Sequence, residues 1–395
     1  MSTKKILIIA AVLLIVVIGA LLVYNFYFKT SPTGTSPSPT GSLPAGRITT
    51  SALPTSGGQA NPTPSSSNTS LASLKLKPIS QSSIYAATIG EDGNTVKYFR
   101  RNDGHVLQSD FNGLNIKEIS SVTLTGLTGA VWSPDKQKVI GLFSDNNQTK
   151  KYFYDYANNK SSLLDSTTGY VSWSPDSKKI AYQYVPANGE QNTISVADPD
   201  GTNWKNIFKT RLDNLIVEWP AKDKISLRTR VSGLAQGLLY ALDPTTGDFN
   251  RILSDFYGFS AKWSPKADKL LYSFTTSRGK NPSLTLADSS GANTKDLKLS
   301  GLADKCVWSM DDRTIFCALP QSISSNAIWP DDYYKGLVIL SDDFYKINME
   351  TNEKTKIAGS DQQFSYDAQD LFLSPKEDYL FFTNHADGLL YSLKI

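Results

Sequence analysis

The sequence predicts an all-β fold made of repeated four-stranded antiparallel sheets. Three observations lead to this prediction: a tryptophan-centred motif recurs, the segments around it alternate between apolar and polar residues, and turn-forming residues separate them. The motif reads VWSPDKQKVIGLF from Val131, SWSPDSKKIAYQY from Ser172, EWPAKDKISLRT from Glu218, KWSPKADKLLYSF from Lys262 and VWSMDDRTIFCAL from Val307. A divergent copy begins at Thr88 and a weaker one at Phe372.

The spacing of the motif predicts how many sheets there are. The steps between equivalent positions are 43, 41, 46, 44, 45 and 65 residues, measured at Ile89, Trp132, Trp173, Trp219, Trp263, Trp308 and Leu373. A period of about 40–45 residues is typical of a propeller blade with four strands. The sequence therefore predicts a seven-bladed β-propeller over residues 74–395, with an insertion in the last long step.

Each copy contains the same series of elements. An apolar strand ends in the anchor residue, a Ser-Pro-Asp type of turn follows, and two alternating strands lead to an Asp/Gly-rich turn and a short fourth strand. Because the repeat itself requires the tryptophans, we interpret them as packing between neighbouring blades rather than as a ring that binds a ligand. Asp135, Asp176 and Asp311 are interpreted as caps of their turns.

The pattern W-S-P-D-x-K-x-I-x-Y, followed by a D-x-x-x-G turn, resembles the TolB-type propeller repeat, which is related to the WD-repeat blade. The resemblance covers about residues 84–395. It implies the fold, but not a function, because the family includes binding proteins and the propeller domains of peptidases. TolB itself carries an α/β domain before its propeller, whereas this chain has an apolar segment and a linker there, so TolB's role does not transfer.

The two ends of the repeat region predict how it closes. The last copy ends at LLYSLKI (389–395), which is its third strand, so its fourth strand is missing. The segment LKLKPI (74–79), just before the first copy, is available to supply it. Such pairing would remove an exposed sheet edge.

The N-terminal segment predicts a membrane anchor. Residues 6–24 contain no charged side chain and are long enough to cross a hydrocarbon core, and Tyr24, Phe26, Tyr27 and Phe28 follow at the membrane boundary. We predict a short cytoplasmic N-terminus (1–5) and a transmembrane helix (6–28), with the remainder outside the cytoplasm, at the cell surface or in the periplasm. A cleaved signal peptide is the alternative, but its apolar region should be shorter and end in small residues.

Composition and charge define the rest of the organisation. Residues 29–73 are rich in Ser, Thr and Pro, which predicts a disordered linker. Residues 1–74 contain four basic residues and no acidic one, so the repeat region has 36 basic and 37 acidic residues. A nearly neutral region without basic runs argues against nucleic acid as a partner.

Cys306 and Cys317 lie on the two arms of one predicted hairpin, at equal distances from its turn. They should therefore face each other across the two strands, close to the separation that a disulfide requires. Compartments outside the cytoplasm permit such a bond. A disulfide and a pair of reduced core residues both remain open.

The insertion (318–343) lies between the second and third strands of the sixth blade. It therefore belongs to the face of the propeller that carries the blade-to-blade connections. Aromatic and acidic side chains at its centre suggest either a binding platform or a lid that packs over the channel. The candidate binding residues here are Trp329, Asp331, Asp332, Tyr333 and Tyr334.

Arg230, Arg278 and Lys280 lie on other loops of the same predicted face, either to meet an anionic group or as solvated surface charge. The two histidines lack metal-ligand spacing, and no G-x-S-x-G elbow is present. The sequence thus assigns no catalytic residue, metal or cofactor.

Together these features predict a membrane-anchored extracytoplasmic module that binds a protein or a cell-envelope polymer. The alternative is an extracytoplasmic hydrolase that acts on a glycan or a peptide at the channel mouth. Such an enzyme needs several carboxylates or a base that converge there. A sensor is disfavoured, because only about five residues (1–5) are predicted to lie on the cytoplasmic side of the membrane and could transmit a signal.

Overall fold

The computed structural model describes residues 75–395, apart from residues 147, 187–190 and 362. The described chain is almost entirely β-structure, and every pair of neighbouring strands in a sheet is antiparallel. The predicted segments 1–5, 6–28 and 29–73 lie outside the described residues. Among the residues that are described, no helix has the length and apolar character needed to cross a membrane.

The first three repeats each form one four-stranded sheet. Repeat one contains β2 (Ile84–Ile89), β3 (Thr95–Arg100), β4 (Val106–Asp110) and β5 (Lys117–Ser120). Repeat two contains β6 (Leu127–Trp132), β7 (Lys138–Asp145), β8 (Gln148–Asp155) and β9 (Lys160–Leu163). Repeat three contains β10 (Thr168–Trp173), β11 (Ile180–Tyr184), β12 (Asn192–Ala197) and β13 (Lys205–Thr210).

Repeats four and five are joined into one seven-stranded sheet. Its strands are β14 (Ile216–Ala221), β15 (Lys224–Arg228), β16 (Gln236–Leu242), β17 (Phe249–Trp263), β18 (Lys269–Thr276), β19 (Lys280–Asp288) and β20 (Lys295–Ser300). The first half of β17 pairs with β16 and the second half with β18. One continuous strand thus serves as the last strand of repeat four and the first of repeat five, where the sequence predicted two.

Repeats six and seven complete the described chain. Repeat six contains β21 (Cys306–Trp308), β22 (Thr314–Pro320), β23 (Asp342–Asn348) and β24 (Lys354–Gly359). A 3-10 turn (Ala303–Lys305) precedes β21, and a short helix, α1 (Asp331–Tyr334), lies in the insertion. Repeat seven contains β25 (Ala368–Leu373), β26 (Tyr379–Asn384) and β27 (Leu390–Lys394), and its fourth strand is β1 (Leu76–Pro78).

The pairing of β1 with β27 confirms the prediction that the N-terminal segment completes the last sheet. Leu76 lies opposite Leu393, and Pro78 lies opposite Tyr391. The core beside it contains Ile84 and Val96 of repeat one together with Phe381 and Leu390 of repeat seven. The last repeat therefore packs against the first.

The tryptophans pack between consecutive repeats, as predicted. The indole N–H of Trp132 donates to the carbonyl of Ala86 (2.8 Å), and that of Trp173 donates to the carbonyl of Val131 (3.0 Å). The indole of Trp263 similarly donates to Ser226 Oγ in the preceding repeat (2.9 Å). These contacts give the three tryptophans a structural role between neighbouring repeats.

The turn aspartates also have their predicted role. Asp176 accepts hydrogen bonds from Ser174 Oγ (2.7 Å) and from the backbone N–H of Lys178 (3.2 Å). Asp311 accepts from the backbone N–H of Arg313 at 2.7 Å. Both carboxylates cap the turn between the first and second strands of their repeat.

Cys306 and Cys317 occupy directly opposed positions of β21 and β22 and are joined in a disulfide, with an S–S distance of 2.13 Å. Both residues are fully buried in the core between repeats five and six. Of the two possibilities left open by the sequence, the structure contains the disulfide.

Deletion of residues 74–79 should lower the unfolding temperature of the whole domain, because it exposes an edge of repeat seven and removes buried Ile79 from the core shared with repeat one. Thermal unfolding of the detergent-solubilised full chain measures the effect. Deletion of residues 60–65 is the matched control, because it shortens the chain equally without touching β1. Equal unfolding temperatures for the two deletions would contradict the role assigned to β1.

Candidate functional site

The insertion is held by loops at one end of the sheets. This end carries the loops between the second and third strands of each repeat and the connections between repeats, and we call it the insertion face. The Asp331 carboxylate accepts hydrogen bonds from Ser232 Oγ (2.9 Å) and from the backbone N–H of Gly233 (2.5 Å). Lys280 Nζ donates to the carbonyls of Ser325 and Ala327 at 2.8 and 2.7 Å. The insertion is thereby fixed to repeats four and five.

The backbone of the insertion approaches these loops very closely at Trp329. The N–H of Trp329 donates to the carbonyl of Gly279 (2.8 Å). A Cβ atom at Gly279 would lie 2.8 Å from the backbone N and O of Trp329, and one at Gly233 would lie 2.2 Å from that oxygen. Gly279 also has a φ of +67°, so both the conformation and the contact require glycine there.

The sequence left two interpretations of the insertion's aromatic side chains open, an exposed platform and a packed lid, and the burial of Trp329 and Tyr333 favours the lid, while Tyr334 is exposed. Trp329 is only 1% exposed and Tyr333 only 2%, because both pack in a core with Leu302, Ala327 and Leu340. The centre of the insertion therefore matches the alternative interpretation, a packed lid. Asp332 is also occupied within it, since its carboxylate accepts from the backbone N–H of Ile328 (2.7 Å).

A buried cluster of charges lies beneath this lid, and we call it the lysine cluster: Lys305, Asp342, Asp367 and Tyr333. Lys305 Nζ lies 2.6 Å from Asp367 Oδ1 and 2.9 Å from Asp342 Oδ2. The Tyr333 hydroxyl donates to Asp367 Oδ1 (2.8 Å) and accepts from Lys305 Nζ (3.0 Å). One ammonium thus binds two carboxylates from the adjoining strand and connection, together with the lid's tyrosine.

The two carboxylates of the lysine cluster differ in how well they are satisfied. Asp367 also accepts from the backbone N–H of Leu340 (2.9 Å), whereas Asp342 Oδ1 has no hydrogen-bond partner among the described residues. Burial raises the pKa of Asp342 to about 6 despite the nearby ammonium. Burial also acts to raise the pKa of Asp367, but Lys305 and the hydrogen bonds outweigh it, and that pKa lies below its usual value.

Substitutions in the lysine cluster should have unequal effects on stability. We expect Asp367→Asn to lower the free energy of unfolding by about 3 kcal/mol or more, because it leaves Lys305 with the poorly satisfied Asp342. Asp342→Asn should cost about 1 kcal/mol or less, because one carboxylate still pairs with the ammonium. Urea unfolding at neutral pH measures both, and equal losses would contradict the assignment.

The pH dependence of the free energy of unfolding provides a second test of how Asp342 differs from Asp367. Because the pKa of Asp342 rises from 3.8 to about 6 on folding, the folded chain binds this proton more tightly than the unfolded chain does. The stability contributed by this carboxyl is therefore present at low pH and falls as the pH rises from about 4 to about 6. The free energy of unfolding of the wild type, minus that of Asp342→Asn, should decrease over this range.

A second group of charged residues lies on the inner strands next to the lid, and we call it the inner charged cluster. Glu218 lies on β14 and Lys262 on β17, and both are half-buried. Asp304 accepts from Ser260 Oγ (2.6 Å) and from the hydroxyl of Tyr334, so the exposed lid residue Tyr334 reaches this cluster. The full cluster consists of Glu218, Arg228, Lys262, Asp304 and Asp370.

The members of the inner charged cluster are close enough to act on one another electrostatically but are not paired. Burial raises the pKa of Glu218, and Asp304 raises it further, while Arg228 and Lys262 oppose the shift. None of the five residues forms a salt bridge with another residue in the described part of the chain. The fold thus keeps unpaired charges at a partly desolvated position, which is costly for stability and common at functional sites.

Arg228 is the clearest example. Its side chain is 6% exposed, and neither Nε nor Nη1 has a hydrogen-bond partner among the described residues. The guanidinium acts electrostatically on Glu218, Tyr334 and Tyr170. Two buried donor nitrogens are therefore available where the inner charged cluster meets Tyr170.

A cavity of about 340 Å³ adjoins Tyr170. Its lining comes from repeats two, three and four and includes the backbone connection at Asn214 and Leu215, which places it on the insertion face. Arg230 lines this cavity, whereas Arg278 is exposed on the loop between β18 and β19. Of the three basic residues proposed from the sequence, Lys280 binds the insertion and Arg230 lines this cavity.

The inner charged cluster was missed in the sequence, although a signal for it exists. Glu218 and Lys262 directly precede an anchor tryptophan, at a position where other copies have Val131, Ser172 and Val307. A charge at a position that is otherwise apolar or small marks a departure from what packing needs. No group of three or more His, Cys, Asp or Glu side chains within the described residues is arranged to hold a metal ion.

Comparison with solved structures gives the fold. An oligogalacturonate lyase in complex with manganese has a TM-score of 0.58 and 13% identity, over 81% of this chain and 93% of that one. The β-propeller domain of the Trilobed protease from Pyrococcus furiosus has a TM-score of 0.50 and 14% identity, over 79% and 95%. TolB from Acinetobacter baumannii has a TM-score of 0.44 and 14% identity, over 71% of this chain and 64% of that one.

These similarities show that the described chain has a β-propeller fold. At such low identity they show the fold alone, and neither the lyase nor the protease name transfers. No protein-family model and no curated protein matches the sequence.

Proposed function

We propose that the chain is a membrane-anchored, extracytoplasmic binding module, built as a closed seven-bladed propeller that binds its partner on the insertion face. The seven anchor positions support the blade count. Within the described residues, seven core clusters each join two consecutive repeats, the last of them joining repeat seven to repeat one. The pairing of β1 with β27 supports closure.

Sequence features and the disulfide support the location. The uncharged residues 6–24 follow Lys4 and Lys5, which is the arrangement of an anchor with a cytoplasmic N-terminus. A disulfide is typical of compartments outside the cytoplasm. The Ser/Thr/Pro-rich residues 29–73 would then hold the propeller away from the membrane.

The inner charged cluster is the observation that carries the binding proposal. Its charges are partly desolvated, unpaired within the described residues and adjacent to a buried guanidinium with two free donors. Packing of the repeats does not require such residues, since other copies have apolar or small residues at the equivalent position. A bound partner that contributes polar groups would compensate their cost.

The fixed lid supplies an apolar surface beside this cluster. Leu337 is 71% exposed and Ile339 is similarly exposed at the end of the insertion, while Leu234 is exposed on the loop of repeat four that contacts the insertion. Because the lid is held by hydrogen bonds of Asp331 and Tyr333, these side chains lie on a surface that does not need to order on binding. Such a surface suits a protein or a cell-envelope polymer.

Crosslinking pull-downs from membranes test the proposal, with the full chain as bait. Leu337→Ser should reduce recovery of the partner about tenfold, because it removes exposed apolar area from the insertion face. Leu114→Ser is the matched control, since Leu114 is 58% exposed in the β4–β5 turn at the opposite end of the sheets. Equal recovery of every partner with both variants would contradict binding at the insertion face.

A second candidate function is a hydrolase that acts on a glycan or a peptide at the same position. The observation in its favour is the raised pKa of Glu218, with Asp304 within electrostatic range. A carboxyl with a raised pKa can hold a proton and donate it to a leaving group, while another carboxylate stays ionised.

A screen against glycans and peptides tests this second function. Any activity found should fall at least about 100-fold in Glu218→Gln, because the amide has no proton to donate. Asp223→Asn, in the exposed β14–β15 turn, is the matched control and should retain activity. Activity that survives in Glu218→Gln would exclude this carboxyl as the acid.

A further inference from the structure

The cavity beside Tyr170 has a lining of unusual composition. Its apolar wall consists of five aliphatic side chains: Val131, Leu142, Val171, Val185 and Leu215. Two cations, Lys151 and Arg230, also line it, and the described lining residues include no carboxylate. A lining that combines an apolar wall with cationic side chains is suited to a ligand that combines an apolar group with an anion.

The polar groups of the lining differ in whether they are free. The Gln183 amide donates to the carbonyl of Leu212 (2.6 Å) and accepts from the backbone N–H of Leu215 (2.8 Å), so it forms part of a rigid wall. Lys151 Nζ donates to the carbonyl of Thr168 (2.8 Å), which leaves further N–H donors. Arg230 is exposed and has no hydrogen bond or ion pair within the described chain.

Electrostatics favours an anion between these cations. Burial lowers the pKa of Lys151, which means that its ammonium is held in the wall at a cost to stability. A carboxylate bound beside Lys151 would reduce this cost, and Arg230 supplies a second cation to the lining of the same cavity. The exposed ring of Tyr170 forms the border toward the inner charged cluster and provides a flat surface for the ligand.

We propose that this cavity binds the free C-terminal carboxylate of a peptide whose last side chain is apolar. Arg230 and Lys151 bind the carboxylate, and the aliphatic wall receives the side chain. The cavity volume of about 340 Å³ is at the small end for ligand sites, which suits one or two residues rather than an acyl chain or an oligosaccharide. The inference rests on the proposed function, since it names the chemistry of a ligand on the same face.

Fluorescence anisotropy with the detergent-solubilised full chain tests the proposal. The probe is fluorescein-labelled Ala-Ala-Leu with a free C-terminus, compared with the same peptide amidated. Amidation should weaken binding about tenfold or more, because it removes the charge that both cations recognise. Equal affinity for the two peptides overturns the proposal without any variant. An amidated peptide with an internal glutamate that binds as tightly as the free acid also overturns it, since it would mean recognition of any carboxylate.

Two variants assign the binding to the cavity. Arg230→Gln should weaken binding of the free acid about tenfold or more, whereas Arg278→Gln, a matched change of an exposed arginine on another loop, should leave it unchanged. Unchanged affinity in Arg230→Gln overturns the assignment. If the free acid fails to bind but Leu337→Ser still loses a partner in the pull-down, this inference fails and the proposed function stands. If the free acid binds specifically but Leu337→Ser loses no partner in the pull-down, this inference stands and the proposed function fails.

Discussion

Each sheet of this protein depends on its neighbours, because the second strand of a repeat is buried on both faces. Residues of β3, β11, β15 and β22 are buried almost without interruption, and each core cluster between sheets takes residues from two consecutive repeats. A repeat alone would leave half of this apolar area in water. The chain therefore has to continue the stack until the last repeat meets the first, and β1 provides the strand that fixes this contact.

The insertion also depends on neighbouring repeats, because its buried contacts come from two of them. Lys305 begins repeat six, Asp367 precedes β25 of repeat seven, and Tyr333 belongs to the lid. One buried ammonium thus joins two repeats and the insertion, and removal of Lys305 would leave two buried carboxylates without their cation. A lid held in this way provides fixed positions for Tyr334 and Leu337 on its outer side, which a flexible loop of equal length would not.

The sequence predicted the elements that follow from local pattern. Repeat period, turn aspartates and the role of the tryptophans depend on residues within one copy, and the opposed cysteines depend on one hairpin. Whether Trp329 and Tyr333 are buried depends instead on partners far away in sequence. The backbone N–H of Trp329 donates to the carbonyl of Gly279, and the hydroxyl of Tyr333 donates to Asp367. An aromatic residue on an insertion looks the same in sequence whether it faces solvent or packs inward, so burial required the tertiary contacts.

The inner charged cluster differs from the lysine cluster in how its charges are paired. In the lysine cluster the ammonium of Lys305 contacts a carboxylate oxygen of Asp342 at 2.9 Å and one of Asp367 at 2.6 Å, so these charges are paired within an internal connection. In the inner charged cluster Arg228 keeps two buried donors free, and Glu218 keeps a raised pKa. Because other copies of the repeat pack well with valine or serine in place of Glu218, stability does not account for a carboxyl there. This departure from what packing requires is the reason for proposing a ligand at the inner charged cluster, and Tyr170, which lines the cation-lined cavity, lies within electrostatic range of the same cluster.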